Sequence, residues 1–146
     1  RSEPFEDVGG PFFFDVAGKQ ADKLLDDQAL WVATPRGLVV ILGCGHAGLL
    51  NTLTYLRRVT GIERIAGIIG GLHLLHADDR RIAHTLAVLQ DSPPDFMWLG
   101  HCTGDPLIPL FQQALPRVKI RPLAAGQRYP LTIAALVPDS RQGLGS

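Results

Sequence analysis

Only two cysteines, Cys44 and Cys102, and one methionine, Met97, occur in the sequence. Two cysteines exclude the small disulfide-stapled scaffolds of secreted proteins, so a reduced, cytoplasmic setting is expected. No apolar run approaches the ~20 residues that a membrane helix needs, so no membrane partner is expected. Net charge is missing as well. Fourteen basic side chains balance fourteen acidic ones, which leaves no general field to attract nucleic acid or anionic lipid. No secretory leader is visible. The chain opens on Arg1 without an initiator methionine, as expected of a fragment or a processed product.

What is present suits one domain. With 146 residues, 46% of them apolar, the chain can bury roughly 70% of the surface that its unfolded form exposes. Its 16 glycines and 11 prolines are scattered, which gives many turns and excludes disorder over most of the length.

Residues 1–27 read as an irregular lead-in. The first eleven are polar and rich in Gly and Pro, Phe12, Phe13 and Phe14 form a short strand or a plug over the core, and 15–27 mix acids and bases in a loop or edge segment. Residues 28–137 carry the pattern of an α/β domain. The runs 29–34 and 38–42 flank Pro35-Arg36-Gly37, which predicts an antiparallel hairpin with a three- or four-residue loop. A helix is predicted over 49–60, stopped by Gly61, and a buried strand over 65–69. Asp78 is a cap for a second helix running to Gln90, with Ile82, Leu86 and Leu89 on its buried face. After Pro93-Pro94 come a strand at 96–99 and a third helix, capped by Asp105 with Pro106 at its first position and running to Leu115. Residues 118–120 and 131–137 are further strand candidates, and 138–146 form a flexible tail.

Three successive strand–loop–helix units end their strand in glycine and then histidine: LVVILGCGH, IAGIIGGLH and FMWLGH. The histidines, His46, His73 and His101, are spaced by 27 and 28 residues, about one β-loop-α unit each. Right-handed crossovers make such strands parallel, so their carboxyl ends share one edge of the sheet. Three imidazoles would converge there, and convergent neutral imidazoles are what zinc, iron or manganese sites require. A single loop histidine is usually only a solvated or hydrogen-bonded residue; the matching positions in three units carry the metal reading. His84, two positions from Ile82, points away from the apolar face. His76 has no counterpart in the other units.

Other features have competing readings. Gly43-x-Gly45-x-x-Gly48, between a strand and a helix, matches a dinucleotide fingerprint that would seat a pyrophosphate on the helix N-terminus. The acid that should bind the ribose about 20 residues on is missing, because the next strand ends in Gly70-Gly71. Cys44 and Cys102 read as small, half-buried filler or as soft groups supporting a ligand. Asp26-Asp27 reads as a solvated turn or as a group that orients a ligand. Trp31 and Trp98 read as core.

Taken together, DDQAL, GLVVILGCGHAGLLNTL, IIGGLHLLHA and GHCTG resemble the metallo-β-lactamase-fold superfamily, and within it the dihydropterin-ribofuranosylaminobenzene-phosphate synthase-like subfamily. The resemblance runs from about Asp26 to Arg128. It implies the carboxyl-terminal half of an αββα sandwich: an α/β unit with a mixed sheet and helices on one face. It places His46 at the ligand histidine that follows the family's paired-histidine motif and His101 at the last ligand histidine. His73 stands where most members have a bridging aspartate. The H-x-H-x-D-H string of the amino-terminal half does not occur here. The resemblance implies a divalent metal, zinc first, with manganese, iron or magnesium as alternatives. Thr103 and the backbone of Gly104 are then expected to contact a small-molecule substrate. The activity implied is metal-dependent hydrolysis of an ester, amide or phosphoester, with this chain alone inactive. The alternatives are a transferase joining a pterin to a phosphorylated aminobenzene riboside, a nucleotide-binding module, and a catalytically dead interaction domain. The expected partner is the amino-terminal half of the same fold or a second copy of the chain.

Overall fold

The computed structural model describes residues 4–6 and 12–129; the strand candidate at 131–137 and the tail at 138–146 lie outside the described residues. Five strands form one sheet in the order β1-β2-β3-β4-β5, with β1 at Ala29–Thr34, β2 at Gly37–Leu42, β3 at Ile65–Gly70, β4 at Phe96–Leu99 and β5 at Lys119–Pro122. Three helices connect them: α1 (Leu49–Thr60) joins β2 to β3, α2 (Asp79–Asp91) joins β3 to β4, and α3 (Leu107–Ala114) joins β4 to β5. Strand β1 is antiparallel to β2, and every later neighbour is parallel. The result is the mixed α/β sheet that the sequence pattern implies.

The hairpin is tighter than expected. Thr34 pairs with Gly37, so only Pro35 and Arg36 lie in the loop. The Thr34 hydroxyl closes it by donating to the Gly37 carbonyl at 2.7 Å and accepting from the Arg36 N–H at 3.2 Å.

Strand alternation sends Leu38, Val40 and Leu42 to one face. There they pack with Leu49, Leu53 and Leu56 of α1, Leu89 of α2 and Phe111 of α3. All three helices thus cover the same face. The opposite face holds a smaller buried cluster of Val39, Ala66 and Phe96, with Ile69 and Trp98 partly buried against it. On that second face Leu30 and Val32 of β1 stand opposite Ile41 and Val39 and are 69% and 53% exposed.

Two helices depart from the sequence expectation. In α2 the buried residues are Arg81, Thr85 and Leu89, while Ile82 and Leu86 are only half-buried. The helix is turned by about one position, and bonds to the Arg81 backbone fix its first turns. The Asp78 carboxylate accepts from the Arg81 N–H at 2.8 Å, and the Thr85 hydroxyl donates to the Arg81 carbonyl at 2.9 Å. The Thr85 hydroxyl, being hydrogen-bonded, is buried at small cost. Helix α3 begins at Leu107, with Pro106 in the flanking position and no side-chain cap; Asp105 contributes its carbonyl, to the Ile108 N–H.

Helix α1 has Gly48 at its cap position and no cap from a neighbouring side chain. The four amides of a first turn need acceptors, and Glu6 supplies two of them from a 3₁₀ turn at Pro4–Glu6. Its carboxylate accepts from the Leu50 N–H at 2.9 Å and the Asn51 N–H at 2.7 Å. Gly48 (φ 92°) leaves the room; a Cβ there would collide with the Glu6 carboxylate.

Candidate functional site

The parallel strands β2, β3 and β4 end side by side, so the loops that follow them share one edge of the sheet. His46 follows β2, His73 follows β3, and His101 opens a 3₁₀ turn (His101–Thr103) after β4. The rings of His46 and His73 meet edge to face with centroids 4.6 Å apart. The Phe12 ring lies 6.0 Å from His46 and 6.2 Å from His73, so one member of the phenylalanine run packs against the imidazole pair, while Phe13 and Phe14 stay exposed. His101 falls against the cysteines: its Nδ1 is 3.5 Å from Cys44 Sγ, and Cys44, His101 and Cys102 offer donor atoms all within 4.8 Å of one another.

Two of the three histidines sit in a backbone conformation that side chains seldom adopt. His73 has φ 49° and His101 φ 53°, the left-handed region where a residue other than glycine costs of order 1–3 kcal/mol. Tertiary bonds hold them there. The Cys102 carbonyl accepts from the Leu74 and Leu75 amides at 2.9 and 3.0 Å, and the Gly71 N–H donates to the Gly43 carbonyl at 2.9 Å. The two loops that flank the β3 loop are therefore tied to it by backbone bonds.

The electrostatics suit a metal ligand. Nδ1 of His73 is buried and has no hydrogen-bond partner among the described residues. Burial holds this imidazole below its ordinary value, and the charges of His46 and Arg81 push the same way against Asp27. The neutral form that a metal needs is thus the favoured one. Asp27 stands beside His46, with its Oδ1 3.8 Å from Nδ1 and its Oδ2 accepting from the Ala47 N–H at 2.7 Å. It fixes the loop that carries the histidine. Burial pushes the Cys102 thiol up to about 11, with a hydrogen bond from the His73 backbone opposing and Cys44 adding to the rise. These residues fit a divalent metal, by an orphaned ring nitrogen and by a donor set of imidazole and thiol.

Thr103 and Gly104, expected to contact substrate, close the 3₁₀ turn that His101 opens. Thr103 is fully buried, and its hydroxyl accepts from the Leu72 N–H at 3.1 Å; its side chain braces the β3 loop against the β4 loop. Gly104 is buried beside Leu75. A groove of about 400 Å³ runs between β1 and α1, lined by Asp27, Ala29, Trp31, Asn51, Tyr55 and Arg58 among others. It reaches the histidines only through Asp27 and Ala47. Trp31, expected in the core, is 46% exposed in this groove.

The dinucleotide reading of Gly43-x-Gly45-x-x-Gly48 finds its anion position taken. The carboxylate of Glu6 sits on the amides at the start of α1, where a pyrophosphate would bind. Sequence inspection missed Glu6 and the burial of Arg81. The available signal for Glu6 was a helix start without a Ser, Thr, Asp or Asn cap.

No family model matches the chain. In sequence it is similar to 7,8-dihydropterin-6-methyl-4-(beta-D-ribofuranosyl)-aminobenzene-5'-phosphate synthase of Methanocaldococcus jannaschii, 34% identical over 83 residues, 57% of this chain and 28% of the synthase. It is also 29% identical over 89 residues to an uncharacterised protein of the same organism, covering 60% of this chain and 31% of that protein. In structure it matches a metal-dependent hydrolase of the β-lactamase superfamily, with TM-score 0.71 and 28% identity over 86% of this chain. The chain spans 51% of that hydrolase and about 30% of the two curated relatives.

Proposed function

Since the chain is built as one half of a metallo-β-lactamase fold, we propose that it contributes His46, His73 and His101 to the metal site of a hydrolase acting on an ester, amide or phosphoester bond of a small molecule. The observation that carries this reading is the contact of His46 and His73 at the carboxyl edge of a parallel sheet, with one ring nitrogen of His73 buried and unpartnered among the described residues. A metal bound there would polarise the substrate and lower the pKa of a coordinated water. The chain's own residues do the rest. Phe12 packs against the imidazole pair, Asp27 fixes the His46 loop, and Thr103 holds the β3 and β4 loops together. The structural neighbour is itself a metal-dependent hydrolase.

A second reading is a transferase, favoured by the 34% identity to the pterin-linked synthase. Both readings need the same donors. The test is calorimetric titration of zinc and of manganese into the 146-residue chain. Binding is expected to be weak, because the other half of such a fold holds further ligands, and replacing His46, His73 or His101 by alanine should weaken it by about tenfold or more. Metal uptake indifferent to all three substitutions would overturn the proposal. Hydrolysis of chromogenic phosphoester and ester substrates by the chain joined to its complementary half, abolished by chelation, separates the hydrolase from the transferase.

A further inference from the structure

Strand β3 lies between β2 and β4, yet the loops after β2 and β4 meet above its end. They can do so because β3 runs out in Gly70-Gly71 and presents no side chain there. A Cβ on Gly71 would stand 2.6 Å from Cys102 Sγ, 2.9 Å from the Gly43 carbonyl oxygen and 3.2 Å from Cys44 Cα. The space that glycine leaves is filled by a sulfur. Cys102 Sγ lies 3.1 Å from the Cys44 carbonyl oxygen, to which its thiol donates, and Cys44 Sγ lies 3.5 Å from Nδ1 of His101.

That last separation is informative. A tetrahedral ion with sulfur at about 2.3 Å and nitrogen at about 2.0 Å holds the two donors about 3.5 Å apart. The Cys44–His101 pair already stands at that distance, and the second sulfur is within 4.8 Å of both donor atoms. The three residues are also fixed beforehand. The Cys102 carbonyl is bound by the Leu74 and Leu75 amides, and Thr103 is locked to Leu72. His101 is exposed and both cysteines are half-buried, so an ion can enter from solvent.

We propose that Cys44, His101 and Cys102 form a thiolate-containing metal position beside the His46–His73 pair, selective for a thiophilic divalent ion such as zinc or cadmium. Two sulfurs and one imidazole favour such ions over magnesium or manganese. Three protein donors leave the fourth place of a tetrahedral ion for water or a small ligand. On coordination each thiol gives its proton to solvent, so uptake releases protons. The proposal rests on His101 being a metal ligand, as in the proposed function, and adds two sulfurs which that reading does not use.

The experiment is titration of the reduced 146-residue chain with cadmium, followed by the near-ultraviolet thiolate-to-metal charge-transfer band. A band saturating at one ion per chain is expected. Cys44→Ser and Cys102→Ser should each reduce it to about half or less, the double variant should lack it, and His46→Ala should retain it. A second measurement needs no variant: zinc should protect both thiols from alkylation by iodoacetamide, and magnesium should not. Cadmium binding without a thiolate band, a band unchanged in the double serine variant, or thiols alkylated equally with and without zinc would each overturn the proposal. If zinc binding instead fails in His46→Ala and His73→Ala with no thiolate band, the sulfur position is refuted and the proposed function stands.

Discussion

Removing the Glu6 carboxylate tests how this fold is held at its functional edge. Glu6 is 1% exposed and accepts two amides from the first turn of α1, at 2.9 and 2.7 Å. Hydrogen bonds to a charged group contribute about 1.5–3 kcal/mol each, and a negative charge at a helix N-terminus adds up to about 2 kcal/mol where it is partly buried. These contributions overlap, since one charge makes both bonds. Glu6→Ala, which leaves two buried amides without their acceptor, is therefore expected to cost about 2–4 kcal/mol. For a chain of this size that corresponds to roughly 6–12 °C in Tm. Glu6→Gln keeps one oxygen but turns an NH₂ toward an amide donor, so it should cost about 1–3 kcal/mol. Urea denaturation of the three proteins, followed by far-ultraviolet circular dichroism, measures these differences. Gly48→Ala provides the coupled control. Its Cβ would collide with the same carboxylate, so the double variant Glu6→Ala/Gly48→Ala should be destabilised by less than the sum of the singles. A Glu6→Ala protein within about 0.5 kcal/mol of the parent would refute the argument, since that is the range of an ordinary surface change.

Asp95 joins Arg36 at 2.8 Å and Arg64 at 2.6 Å; burial raises its pKa, but these two guanidinium groups win and hold it below the ordinary carboxylate value. Its contribution should be complete above about pH 4 and be lost as pH falls through the lowered value, so Asp95→Asn should cost about 1 kcal/mol at neutral pH and flatten the acid limb of a stability–pH curve; an unchanged limb would refute the assignment. We propose that the sheet face carrying Leu30, Val32 and Trp98 packs against the complementary half of the fold, and in its absence against a second copy; sedimentation of the isolated chain should then show self-association, relieved when the complementary half is added, and a stable monomer would refute it.

The sequence by itself determined the order and type of the elements. The hairpin, the three strand–helix units and the Gly-His endings follow from local periodicity and turn chemistry, and right-handed crossovers make the last four strands parallel. Those same rules bring His46, His73 and His101 to one edge, because each histidine occupies the same place in its own unit. Tertiary structure alone decided how the donors group on that edge. His46 contacts His73, whereas His101 turns to Cys44 and Cys102, a grouping set by left-handed backbone at His73 and His101 and by the space that Gly71 leaves for the Cys102 sulfur. Those are packing outcomes between residues 57 and 58 positions apart, beyond the reach of any local pattern. The buried face of α2 was settled in the same way, because whether Arg81 or Ile82 turns inward depends on how the helix packs against the rest of the fold. Glu6 is the plainest case. A carboxylate 44 residues upstream satisfies the amides of α1, and the chain can learn that only when its two ends of that span are brought together, since an unpaired amide is satisfied by whatever acceptor the fold delivers.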